Sequence, residues 1–419
     1  MSNHHRSVGI IGGGVTGLCC AYYLSKEGHE VTVMDQGDFS DGCSFINAGM
    51  IVPSHVIPLA APGAVAKGFR WMFRSDSPFC IQLHPDKALL RWAWLFYRCA
   101  TEKNVQRAIP RLRDISWISR ELYRQLASET AFDFEFREQG LLMLYQTTAA
   151  QKEEAVTARL ACEAGVQAEV LSSGEVQRLE PGIKLAVKGG VYFPGDAHLD
   201  PEKFMEDMIA HLKADGVTFL PHTRVSSFKE KAERITAVIT PQGAHGFDEV
   251  VIACGAWSGS LLKGFNVSMP LQGGKGYSFE VENESENIRI PSLLVEGKVA
   301  VTPLAGRLRV SGTMEIGADP FVISEKRIRG IADTLHHFYP ELDTVNPFQG
   351  KIVSGLRPCS PDGLPYIGRL KGYANVIVAT GHGMMGMSLG PATGKLVSEL
   401  ISGRSTTMKL TGFEPGRFG

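Results

Sequence analysis

The sequence predicts an α/β protein of two domains, each assembled from separated stretches of the chain. Three observations lead there. Residues Val8 to Asp35 run as an apolar stretch, a glycine cluster, a helical pattern (Leu18, Ala21, Tyr22, Leu24) and a second apolar stretch, which is the order strand, turn, helix, strand. The chain has 419 residues, 44% hydrophobic and 21% charged, enough for more than one core in an ordinary globular protein. Further on, β-like runs and amphipathic helices alternate without a repeat or a low-complexity linker, so the chain crosses between the domains several times.

The first element carries a mechanism. Gly12 permits a tight turn, Gly14 lets backbone approach a pyrophosphate, and Gly17 lets the helix pack close to the sheet, with Val15 and Thr16 between them at the helix start. The helix N-terminus then faces phosphate oxygens. Asp35, followed by Gln36, ends the second strand, where a carboxylate can accept from a ribose; this favours an adenine dinucleotide without a 2′-phosphate. A Rossmann-like domain is therefore expected. Glycine turns also occur with nothing bound, and the motif by itself does not separate a flavin from a nicotinamide.

The elements that follow can be taken in order. GCSFINAG (42–49) is a loop of small and hydroxyl residues including Ser44, Asn47 and Gly49, with Met50 after it. From Leu83 to Ala131 the chain is helical and rich in aromatics and arginines. GGVYFPGDAHLDP (189–201) reads as strand and turn, then an amphipathic helix from Pro201 to Asp215 and a strand-like TFLPHTRVSSF (218–228). ITAVITPQG and FDEVVIACGAWS are apolar runs ended by glycine, β-like runs fill Pro270 to Thr313, and a helix covers Ser324 to Phe338. A glycine-dense tail closes the chain. The dinucleotide-binding domain is placed at 1–85, 145–265 and 346–419, and a substrate domain at 86–144 and 266–345.

Composition excludes several classes. A net charge of −1 gives no electrostatic footprint for DNA or RNA. The eight cysteines form no C-x-x-C pair and read as small buried hydrophobes in a reducing compartment. His4–His5 and His336–His337 are adjacent pairs, not the i, i+4 spacing of a helical metal site, so no metal is expected. No Ser-His-Asp set or carboxylate pair stands out. MSNHHRS carries no apolar signal segment, and the charge-free run Met50 to Ala66 is broken by Pro53, Pro58 and Pro62; a cytoplasmic protein is expected.

Several segments in the right order resemble one known family: GGGVTG with Asp35, GCSFINAGMIVP, LLRWAWLFYRCA, GGVYFPGDAHLDP, VVIACGAWS, GGKGYSFEV, SGLRPCSPDGLPYIG and VATGHGMMGMSLGPATGKLVSEL. The chain resembles the D-amino-acid oxidase superfamily of FAD-dependent amine oxidoreductases, within it the small-subunit type D-amino-acid dehydrogenases, with glycine and sarcosine oxidases as cousins. The resemblance implies non-covalent FAD and a second, mostly antiparallel sheet roofing the substrate pocket. In sarcosine-type relatives a cysteine binds flavin covalently near the segment that holds Arg357; here Cys359 is displaced from that place. It implies that the 42–50 loop runs along the diphosphate and isoalloxazine, although Cys43 stands where relatives carry threonine. Gly255 and Trp257 match the turn that passes the diphosphate, and Val225 the position whose backbone meets adenine. Gly381, His382, Gly383, Met384, Met385, Gly386 and Met387 match the flavin loop, ahead of a helix from about Pro391. Unencumbered N–H groups there would stabilise the anionic edge of reduced flavin. His382 belongs to this loop and is given no proton-transfer role.

For substrate the resemblance points to Arg357, whose guanidinium matches the carboxylate-binding arginine and offers a planar, bidentate partner. Without the resemblance an ordinary salt bridge would be the simpler reading. Tyr277 is a second candidate for the pocket, with Tyr366 behind it and Lys275 in reserve. The implied reaction is oxidative deamination of a D-amino acid, D-proline and hydroxy-D-proline included, by hydride transfer from Cα–H to flavin N5, with electrons passed to a quinone or another carrier. Alternatives are an oxygen-using amine oxidase of the glycine or sarcosine type, a nicotinamide dehydrogenase, and a non-catalytic flavoprotein that assists assembly. The helix holding Trp92, Trp94, Phe96 and Tyr97 between Arg91 and Arg98 reads equally as a core helix or as one lying on the inner face of the cell membrane.

Overall fold

A computed structural model describes residues 5–63, 78–82, 86–265, 267–282, 287–342 and 345–419. His4, residues 64–66 of the charge-free run and residues 83–85 of the aromatic stretch lie outside them.

The first sheet has six strands in the order Tyr366–Arg369, Val376–Thr380, Glu249–Ile252, Ser7–Ile11, Glu30–Met34, Thr218–Leu220. All neighbours are parallel except the edge strand Tyr366–Arg369. Val8, Ile10, Val33 and Val250 to Ile252 are buried, as strands covered on both faces require. The chain builds outward from Ser7–Ile11 on one side and then returns to its other side. That strand marks the switch point, the place outside whose C-terminal end open α/β sheets bind ligands. A small antiparallel sheet of Ser227–Lys231, Arg234–Thr240 and Gly243–His245 stands beside it.

Two helices cover one face of the first sheet at close range. A Cβ on Gly394 would come within 2.4 Å of the Cys19 backbone, and one on Gly390 within 2.8 Å of Val15 Cγ2, so helix Gly386–Ile401 packs directly on helix Val15–Lys26. This last helix starts five residues earlier than the sequence places it. Pro391 sits inside it and has no N–H for the Met387 carbonyl, but the buried Tyr123 hydroxyl donates to that carbonyl at 2.6 Å. Tyr123→Phe should therefore cost about 1–3 kcal/mol by leaving a buried carbonyl unpaired, read as a lowered melting temperature of the holoenzyme.

The second sheet has nine strands, mostly antiparallel as expected. Its order is Ile352–Cys359, Gln272–Glu282, Arg307–Ile316, Val299–Leu304, Ser292–Leu294, Leu141–Tyr145, Gly189–Phe193, Glu169–Ser172, with Phe79–Ile81 pairing alongside Arg307–Ile316. Only the Ser292–Leu294 to Leu141–Tyr145 and Arg307–Ile316 to Phe79–Ile81 pairings are parallel. Helix Glu325–Phe338 closes one face through Ile328, Ile331, Leu335 and Phe338.

The pairing does not follow the domain boundaries drawn from the sequence. Strands Glu169–Ser172, Gly189–Phe193 and Ile352–Cys359 lie in the second sheet, whereas helix Glu102–Ala127 packs Leu112, Ile115 and Tyr123 into the core of the first. An apolar strand such as LLMLY (141–145) announces burial but not the sheet it joins; partners distant in sequence decide that. The Leu83 to Ala131 stretch resolves into two helices, Lys87–Cys99 and Glu102–Ala127, capped by Asp86 and Thr101.

Candidate active site

The glycine turn is built by close approach. Gly12 stands at φ +110°, donates its N–H to Met34 O at 2.8 Å, and with a side chain would meet the Ala253 carbonyl at 2.5 Å. A Cβ on Gly17 would collide with the Gly12 carbonyl. Gly14 differs from both, because its Cβ would approach only Ser44 Oγ, at 3.3 Å. The protein itself demands the first and third glycines and leaves a cradle at the second. Val15 N–H donates to Ser44 Oγ at 2.9 Å, Thr16 follows, and no acidic side chain occupies the first turn, so the positive end of the helix dipole is left for an anion.

Asp35 accepts from the N–H groups of Gly13 at 2.6 Å and Gly37, just past Gln36, at 2.8 Å. A carboxylate has roughly four acceptor positions, so two stay available for ribose hydroxyls. Thr223 N–H donates to Asp35 O at 2.6 Å, and Val225 two residues on belongs to one apolar cluster with Ile11 and Met34.

The 42–50 loop is held by residues 198–199 and by the second sheet. Gly49, at φ +74°, lies so close to the Leu199 carbonyl that a side chain would overlap it, and Asn47 Oδ1 accepts from Gly49 N–H at 2.9 Å. Met50 pairs with His198. From the second sheet, buried Arg309 donates to the Phe45 and Asn47 carbonyls at 2.9 Å each, while Glu280 balances its charge. Sequence reasoning missed Arg309. It also missed a buried cluster just past Met50, in which Ser54 N–H donates to Asp196 Oδ1 at 3.0 Å and Ser54 Oγ lies 3.2 Å from His55 Nδ1. Burial pushes the Asp196 carboxyl up to about 7 and His55 down to about 4.

Two more turns face this region. Gly255 stands at φ +54° with its carbonyl accepting from Thr380 Oγ1 at 2.9 Å, and Trp257 is half exposed two residues later. Gly381 and Gly383, at φ +81° and +57°, shape the loop that leads through exposed Met384, Met385 and Gly386 to buried Met387. Buried His382 bonds Thr393 Oγ1 at 3.0 Å, and desolvation holds its pKa down near about 4. The ring is neutral at pH 7 and pins the loop to the helix behind it, a structural part.

Arg357 lies in the edge strand Ile352–Cys359 of the second sheet. Its side chain shares a face with Gly274 and Gly276, the face against which Cys43 and Ile46 of the 42–50 loop pack at Gly355. Its Nη1 donates to the Thr313 carbonyl at 2.6 Å. Among the described residues no carboxylate comes within ion-pair distance of it; the charged or polarisable neighbours are the Cys359 and Cys43 thiols, and burial pulls its pKa down. The guanidinium nonetheless stays protonated.

The other substrate candidates are elsewhere. Tyr277 points to the opposite face of the strand, into the core under helix Glu325–Phe338, and donates to Glu315 Oε2 at 2.7 Å. Lys275 shares that face and donates to the Asp319 carbonyl at 2.7 Å. Tyr366 is buried in the first sheet, bonding the Pro270 carbonyl at 2.7 Å with Arg417 stacked 3.9 Å from its ring centre. A strand alternates its side chains, so Tyr277 and Arg357 could not share a wall in this register.

A family model described as FAD dependent oxidoreductase matches residues 7–400. The D-amino acid dehydrogenase of Granulibacter bethesdensis is 33% identical over 401 residues, covering 94% of this chain and 95% of the relative. That of Helicobacter pylori is 30% identical over 399 residues, covering 94% of each. Among solved structures, glycine oxidase from Geobacillus kaustophilus superposes with a TM-score of 0.78 at 23% identity, covering 99% of this chain and 100% of that one. L-proline dehydrogenase from P. horikoshii also gives 0.78, at 20% identity, covering 100% and 98%.

Proposed function

Since this chain belongs to the DAO family of FAD-dependent oxidoreductases, we propose that it is a dehydrogenase of D-amino acids, including cyclic ones such as D-proline and hydroxy-D-proline. Full-length relatives carry that name, and one observation in the site carries the substrate reading. Arg357 is a half-buried, partly desolvated cation whose only hydrogen-bonding partner among the described residues is a neutral carbonyl, which fits a planar carboxylate arriving with the substrate.

FAD, when bound, takes up the two electrons and the hydrogen leaving the substrate Cα, and the imino acid formed hydrolyses to a keto acid and ammonia, or, from a cyclic substrate, to a ring-opened amino keto acid without release of ammonia. The chain's own residues do the placing. The cradle at Gly14 fits a pyrophosphate, with Gly12, Val15, Thr16, Gly17 and Ser44 around it; Asp35, Gln36 and the Val225 backbone serve the adenosine end. Gly255 and Trp257 serve the diphosphate, and Asn47, Gly49, Met50 and the loop from Gly381 to Met387 serve the flavin end. Arg357 then fixes the substrate carboxylate and with it the direction of Cα–H. Tyr277 has no part in this, since Glu315 holds it on the far face of the sheet. Buried Cys359, its thiol pushed up to about 11, is a poor nucleophile, which supports non-covalent FAD.

Turnover of a panel of D- and L-amino acids with an artificial dye or a quinone analogue tests this reading. D-amino acids should be oxidised with the dye much faster than with oxygen. Stoichiometric peroxide at a comparable rate would place the chain with the oxidases, and no turnover of any amino acid would favour an assembly role.

A peripheral membrane position is supported by helix Lys87–Cys99. Leu90, Trp94 and Tyr97 are 56%, 59% and 60% exposed, on one side of a helix whose charged residues, Lys87, Arg91 and Arg98, are all cationic. No helix among the described residues is long and apolar enough to cross a membrane. Co-sedimentation with anionic vesicles should fall severalfold in Trp94→Ser/Tyr97→Ser; equal binding by the parent and this variant would dismiss the helix as the contact.

A further inference from the structure

The arginine is set in place by the strand beside it. Strand Gln272–Glu282 pairs with Arg307–Ile316 through Lys275↔Glu315 and Tyr277↔Gly312, so Thr313 and Met314 together oppose the single residue Gly276. This is a β-bulge. Thr313 in it stands at φ +66°, a conformation costly for a β-branched residue, and the carbonyl it turns out is the acceptor of Arg357 Nη1. On the other side, Gly276 gives the guanidinium its bed: a Cβ there would overlap Arg357 Nη1, Cζ and Nη2 together. One partner holds the fork and the other leaves it room.

We propose that Gly276 and the Thr313 bulge are positioning elements for the substrate carboxylate. They lay the Arg357 guanidinium flat against the roof sheet, with one N–H spent on the Thr313 carbonyl and the rest free for the ligand. A glycine flanked by strand residues in KGYSF makes sense on these terms, since a strand loses stability at such a position unless another group needs the space. The strain at Thr313 is held by the pairing on both sides of the bulge. The proposal rests on the carboxylate reading of Arg357.

The test uses the holoenzyme and cyclopentanecarboxylate, which has the carboxylate but no oxidisable amine, with binding read from the change in flavin absorption. Gly276→Ala should keep its flavin content and weaken this ligand at least about tenfold, while adding Gly276→Ala to an Arg357→Ala enzyme should change the affinity less than about twofold, because the glycine acts through the arginine. Unchanged affinity in Gly276→Ala, or a further full loss in the Arg357→Ala background, would overturn the proposal. If Gly276→Ala does not fold, Arg357→Ala in the same chain should restore flavin binding and melting temperature by vacating the space; a double variant that stays unfolded would also overturn it. Loss in Arg357→Ala without loss in Gly276→Ala sinks the positioning role alone, whereas full affinity in Arg357→Ala sinks the carboxylate reading itself.

Discussion

An Arg357→Ala enzyme is expected to keep the parent's flavin spectrum and lose about a hundredfold in kcat/KM for D-amino acids. The size follows from what is removed: a charge-assisted, two-point contact to a carboxylate is worth about 3 kcal/mol once both partners are out of bulk water. Flavin should be retained because Arg357, among the described residues, hydrogen-bonds the Thr313 carbonyl and no backbone group of the glycine turns. Stability should fall little, since the donor lost to the Thr313 carbonyl is offset by removal of a desolvated cation that has no carboxylate partner among the described residues. Arg357→Lys should recover part of the rate, because a point charge attracts the carboxylate but cannot hold its plane, and the loss should shrink for amines without a carboxylate. Near-parental kcat/KM for D-amino acids in Arg357→Ala would refute the assignment.

The second large effect is expected at Gly14. Gly14→Val should give a folded protein without FAD, because a Cβ there meets only Ser44 Oγ in the protein, while the valine side chain would fill the cradle where a pyrophosphate would approach. Gly17→Ala should fail differently, by preventing the fold, since its Cβ has no space beside the Gly12 carbonyl. Far-UV circular dichroism and the 450 nm flavin band, about zero in Gly14→Val, separate the two. Full flavin retention in folded Gly14→Val would count against the motif.

The two sites were legible in the sequence to different degrees. The glycine turn was readable because its strand, glycines, helix and second strand are consecutive, and spacing along the chain maps directly to spacing in the structure. Arg357 could be named from the resemblance of its segment, but its missing carboxylate partner could not, since it depends on every neighbour folding in from elsewhere. Tyr277 was misplaced for a similar reason. Only the pairing of Gln272–Glu282 with Ile352–Cys359 decides which residues share the face of Arg357. Gly276 did leave a trace, a glycine inside an otherwise strand-forming run, whereas nothing local marked Thr313 for a positive φ or Arg309 as the clamp on the 42–50 loop. The helix start at Gly386 was hidden because the donor that compensates Pro391 is Tyr123, from a distant helix.

The pairing order of the first sheet bears on how the protein is made. Ser7–Ile11 is bounded on one side by Glu249–Ile252, which in turn needs Val376–Thr380, and Gly12 closes against Ala253. The nucleotide motif is thus synthesised well before the strands it needs and becomes a binding site only after them. Until those later strands have been synthesised, the earlier segment exposes apolar strands with no partners, a state prone to misassembly and aggregation. FAD can therefore act only as a late fastener, adding its binding free energy to an almost finished fold.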